Sequence, residues 1–139
     1  MFTSNYARAK QIPAGHSPIS ISIKPPYWWK GQHCLELCPT VEMLSMNRAD
    51  YDARFEAILT KLDPRTLFEK LGDSSVLLCF ETPNTWCHRR RVAEWFEQSL
   101  GIVVPEFGFE RSECLPYTSL PEKAPKRSRA AQRTSHPPS

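Results

Sequence analysis

The chain has 139 residues, of which 40% are hydrophobic and 24% charged, enough for one hydrophobic core and too short for two comfortable ones. Eighteen Lys and Arg against fifteen Asp and Glu give +3, and the excess sits at the end: residues 117–139 carry +4 and the first 116 carry −1. That distribution argues against a uniformly basic nucleic-acid binder, and the longest uncharged apolar run, Val76 to Phe80, falls far short of the roughly 20 residues that span a bilayer.

Phe2-Thr3-Ser4 reads as a short opening strand, followed by a turn of helix from Tyr6 to Lys10 that stops before Pro13. Ile19 to Ile23 alternates isoleucine with serine between Pro18 and the Pro25-Pro26 pair, a strand with its stops. An aromatic loop, Tyr27-Trp28-Trp29-Lys30-Gly31, leads into an irregular connection through His33, Cys34 and Cys38. Tyr51, Phe55, Ile58, Leu59 and Leu62 then form the stripe of an amphipathic helix starting near Asn47. Asp63-Pro64 is a capping carboxylate followed by proline in the first helical position, and Gly72 closes that second helix. Val76 to Phe80 is the continuous apolar run of a strand buried on both faces of a parallel sheet. A helix from about Thr85 to Leu100, ended by Gly101, and a last strand at Ile102-Val103-Val104 complete a strand-helix-strand crossover.

The expected fold is therefore an α/β layered domain over residues 1–116, with a mostly parallel sheet. Residues 117–139 are rich in Pro, Ser and basic side chains with almost nothing to bury, and are expected to be a disordered tail. The opening residues lack the charged head and apolar stretch of a secretory signal, and the five scattered cysteines fit a reducing compartment, so a cytoplasmic protein is expected. No GxGxxG or Walker loop is present.

Ligands of open parallel sheets collect at the carboxyl ends of the strands. Cys79-Phe80-Glu81 and Trp86-Cys87-His88-Arg89 lie there. Val92, Ala93, Phe96 and Leu100 form the core face of the third helix, and three and four residues back stand His88 and Arg89, while Arg90 and Arg91 point away, Arg90 in a surface pair with Glu94. Cys87, in the first turn beside His88 and Arg89, is the candidate thiolate nucleophile. Glu81 is the candidate base or the partner of Arg89, and His88 completes the catalytic set. Arg89 and the backbone amides near Asn84 to Cys87 would hold an anion.

Thr3, Ser4, Asn5 and Tyr6 at the end of the first strand, with Cys79 and Trp29, are assigned to the same ligand cleft; Cys79, at the end of an apolar strand, reads more readily as a small core residue than as a nucleophile. Lys24, Tyr27, Trp28, Trp29 and Lys30 interleave cations with flat rings that would stack on a nucleobase or pin the loop to the domain. Arg89 lies too late after Cys79 for a phosphatase loop. Cys34 and Cys38 with Cys87 and His88 lack the spacing of a usual zinc knuckle, so no metal is expected.

Phe2 to Ala7, Pro18 to Ser22 with Pro25 to Trp29, and above all Cys79-Phe80-Glu81 followed by Cys87-His88-Arg89 and Val92 to Trp95 resemble domain-of-unknown-function family 488 over roughly residues 1–107. The resemblance implies a Rossmann-like α/β domain with a signature at Cys79, Glu81, Cys87, His88 and Arg89, and no established reaction or cofactor. Cys34, Cys38 and the basic tail lie outside that pattern. The expectation that follows is an enzyme-like domain binding a nucleotide, a nucleotide-derived metabolite or a nucleic-acid end. The rival is a non-catalytic binding or adaptor module in which the same cluster is structural.

Overall fold

A computed structural model describes residues 1–122. Four strands, β1 (Phe2–Asn5), β2 (Ser17–Ser20), β3 (Gln32–His33) and β4 (Ser75–Cys79), form one sheet in the order β1-β4-β2-β3, every pairing parallel. Each residue of β4 is buried, as expected of a strand with neighbours on both edges and layers on both faces; Ser75 at its start donates to the Gly72 carbonyl at 2.8 Å, whereas Phe80, expected in the buried run, lies beyond the strand and is exposed. Alternation divides its side chains: Leu77 joins Ile19, Phe55, Leu59, Val92 and Phe96 in the main core, while Val76 and Leu78 meet Tyr6 on the opposite face.

Three helices follow from their end signals. In α1 (Arg48–Thr60) the Asn47 side chain accepts from the Asp50 amide at 2.9 Å, and the stripe buries Tyr51, Phe55 and Leu59. In α2 (Pro64–Leu71) the Asp63 carboxylate accepts from the amides of Arg65 and Thr66. The third, α3 (His88–Leu100), ends at Gly101, whose φ of 68° is left-handed and suited to glycine. The aromatic loop is pinned to the face opposite the helices, where Trp29 meets Tyr6 with ring centroids 5.6 Å apart.

Four other expectations are corrected. Ile102 to Val104 is no strand, although the chain just beyond it runs parallel to β1 through a bridge between Thr3 and Glu106. Pro105 has no N–H to donate and the Val104 amide is taken by the Glu97 carboxylate at 2.9 Å, so the ladder stops. The second strand occupies Ser17–Ser20, earlier than Ile19 to Ile23, although the Ile21 amide still donates to the Leu78 carbonyl at 3.0 Å. The third helix starts at His88 because Asn84 turns with φ 60° and ties its side chain to Glu113 and Leu115, while the Trp86 amide donates to the Pro121 carbonyl at 2.9 Å. Finally, the packed chain continues past Pro116: Tyr117 and Leu120 are buried, and Arg48 donates to both of their carbonyls, at 2.7 and 2.5 Å. The rest of the expected tail, 123–139, lies outside the described residues. No helix among the described residues is long and apolar enough to cross a membrane.

Candidate functional site

A cleft of about 490 Å³ opens at the carboxyl ends of β2 and β4. Cys79, Glu81, Cys87 and His88 line it, together with aromatic walls from Tyr51, Phe80 and Trp86. Four residues of the expected cluster thus share one cavity, at the place where a parallel sheet presents its ligand site. Lys24 supplies a cation at the rim, and Met43 and Met46 add soft apolar surface. Trp86 is fixed by its indole N–H, which donates to the Tyr117 hydroxyl at 2.7 Å, and by the Arg48 guanidinium 5.3 Å above its ring.

Cys79 closes β4 and Cys87 caps α3, and their sulfurs are joined in a disulfide. This corrects the expectation of a free Cys87 thiolate in the first helical turn: the residue is the extended N-cap, and in this state its sulfur is bonded. His88 is buried, and one ring nitrogen, Nε2, lies 2.7 Å from the Ile21 carbonyl, to which it donates as a neutral imidazole. The other, Nδ1, is left with a lone pair 3.9 Å from the Cys87 sulfur. Burial pushes the His88 pKa down to about 4, and the Arg89 charge acts in the same direction.

Arg89 does not pair with Glu81. Its Nε and Nη2 donate to the two carboxylate oxygens of Glu106 at 3.0 and 2.7 Å, and Nη1 donates to the Cys79 sulfur at 3.0 Å. Thr3 completes the pair by donating its hydroxyl to Glu106 at 2.7 Å. A guanidinium held on three sides in the interior is a structural cation in this state, and the Thr85 and Trp86 amides are likewise bonded, to the Thr82 and Pro121 carbonyls. Arg89 and these two amides of the expected anion cradle are thus already bonded within the protein. Arg90 forms its expected pair with Glu94, at 3.7 Å, but is buried rather than on the surface: it also bonds Glu97 at 2.8 Å and the Val104 carbonyl at 3.2 Å.

Thr3, Ser4, Asn5, Tyr6 and Trp29 do not line the cleft. Ser4 is buried, Asn5 accepts from the Arg8 amide to cap the turn behind it, and the Tyr6 hydroxyl sits 2.6 Å from Ser20 Oγ. Trp29 donates to the Gln32 carbonyl, and Gly31 is needed beside it, since a Cβ there would lie 2.7 Å from the ring. Cys34 and Cys38 form no group with Cys87 and His88; Cys38 Sγ lies 3.4 Å from His33 Nε2.

Glu106 is the residue that sequence reasoning missed. Its signal was a lone charge in the apolar run Ile102 to Phe109, while a buried Arg89 on a core-facing stripe demanded a carboxylate. No family model matches the chain, and no curated protein or solved structure matches it.

Proposed function

We propose that the chain is an enzyme-like domain of family 488 that binds a nucleotide or nucleotide-derived metabolite in the cleft at the carboxyl ends of β2 and β4. The observation that carries this reading is the convergence there of Glu81, Cys87 and His88 with the aromatic side chains of Tyr51, Phe80 and Trp86. Flat rings would take a base, Lys24 would meet a phosphate at the rim, and Glu81 would accept a hydrogen bond or a proton. A reducing cytoplasm belongs to the reading, because it would present Cys79 and Cys87 as a dithiol.

The second reading is a non-catalytic binding module, favoured by the complete use of Arg89 by Glu106 and Cys79. Thermal denaturation against a panel of nucleotides, NAD-derived metabolites and short oligonucleotides tests the cleft as a ligand site, because a ligand that binds only the folded state raises the midpoint. The expected result is a shift that is lost in Glu81→Gln and Lys24→Ala. No shift, or one lost only when the chain is ended at Glu122, rejects the cleft as the site.

A further inference from the structure

We infer that Cys79, Cys87 and His88 form, once the disulfide is reduced, a three-ligand site for one zinc ion whose fourth position opens into the cleft. This does not depend on which organic ligand the cleft takes. The two sulfurs and a His88 ring nitrogen lie within 4.8 Å of one another, and theirs is a buried group of soft and borderline donors suited to this ion.

Three features prepare the group. The His88 Nε2–H bond to the Ile21 carbonyl, 2.7 Å, fixes the tautomer and aims the Nδ1 lone pair at the sulfurs, the arrangement by which metal-bound imidazoles are usually held. Arg89, itself held by Glu106, donates to the Cys79 sulfur at 3.0 Å, an outer hydrogen bond of the kind that orients a metal ligand. The Cα atoms of Cys79 and Cys87 are 7.5 Å apart, beyond the spacing of roughly 4.4 to 6.8 Å usual for disulfides. Two thiolates on a tetrahedral zinc stand roughly 3.8 Å apart, given Zn–S bonds of about 2.3 Å, and a wide backbone spacing suits them.

The stoichiometry is simple. A dithiol reductant gives two electrons and two protons to the Cys79–Cys87 bond and becomes a disulfide itself. Zinc then binds the two sulfurs as thiolates and releases those two protons to solvent. Three protein ligands and one open position are the pattern of catalytic rather than structural zinc, and Glu81 lines the same cleft.

The test is titration of the full chain with Co²⁺, and with Zn²⁺ in competition, after reduction with a dithiol that is then removed anaerobically. The expected result is one ion per chain, a tetrahedral visible spectrum and thiolate-to-cobalt charge-transfer bands. Those bands should halve in Cys79→Ser and in Cys87→Ser, and persist in Cys34→Ser. His88→Gln should keep both thiolate bands and weaken zinc at least roughly tenfold. Oxidised wild-type protein needs no substitution and should bind none, which keeps the test decisive for any variant that fails to fold by circular dichroism. Reduced wild-type protein that takes up no more metal than the oxidised form, or bands that survive in Cys79→Ser and vanish in Cys34→Ser, would overturn the assignment.

Discussion

Arg89 and Glu106 meet through two parallel hydrogen bonds, 3.0 and 2.7 Å, in the interior of the domain, joining α3 to the segment that runs beside β1. The contact spans 17 residues of chain and holds the helix end that carries Cys87 and His88 against the sheet.

Removing one partner strands the other charge. Glu106→Gln should lower unfolding stability by about 3 to 5 kcal/mol, the range for a broken buried pair. The double variant Arg89→Met with Glu106→Leu should recover much of that loss. Urea denaturation of the three proteins checks it; a single variant no less stable than wild type would mean that the pair is solvated.

His88 sets the response to acid in the oxidised, metal-free protein. Its folded pKa of about 4 lies below the ordinary 6.5, so as pH falls the unfolded chain takes the proton first. The stability owed to a neutral His88 is therefore complete above its unfolded pKa and is lost on descending towards its folded one, about 3 kcal/mol in total. Urea midpoints should fall between pH 7 and 4.5, and fall less in His88→Gln; parallel profiles for the two proteins would contradict the assignment.

Burial, with Cys34 and Glu36 adding repulsion, pushes the Cys38 thiol up to about 12. At pH 8 roughly one Cys38 in ten thousand is then a thiolate. Cys87, by contrast, lines the cleft. Peptide mapping after brief iodoacetamide treatment of reduced, folded protein should find Cys87 labelled well ahead of Cys38; equal rates would mean that the two environments do not differ in this way.

Tyr117 accepts from the Trp86 indole and donates to the Asp52 carboxylate. Tyr117→Phe leaves both without that partner and should cost about 1 to 3 kcal/mol. A chain ended after Pro116 loses the same contacts and those of Leu120, and should be less stable still. Calorimetry showing the truncated chain as stable as the full one would place the end of the packed domain at Pro116.

Elements with local signals were legible from the sequence. Asn47, Asp63 and Gly101 punctuate the helices through bonds to their own neighbours, and the apolar run of β4 can hardly be read otherwise. What failed depended on distant partners. Pro105 and the Glu97 side chain decide that Ile102 to Val104 is not a strand, and the Pro121 carbonyl helps delay the start of α3. Site placement split the same way: Cys79, Glu81, Cys87 and His88 flank one strand and one helix and were brought together, whereas Thr3 to Tyr6 occupy a neighbouring strand end that the cleft does not reach. Arg89 was correctly placed on the inward face, but its carboxylate partner lies in a segment that no helical or strand periodicity reaches.

Strand order has a consequence for how the chain is made. β1 and β2 are not paired with each other; each bonds to β4, which follows them by more than fifty residues, and before then β2 has only its two-residue ladder with β3. A nascent chain leaving the ribosome can wind α1 and α2 from local contacts, yet its first two strands must wait for Ser75–Cys79 to slide between them. Closure of the sheet and delivery of Cys79 to its place are thus one late event in biosynthesis.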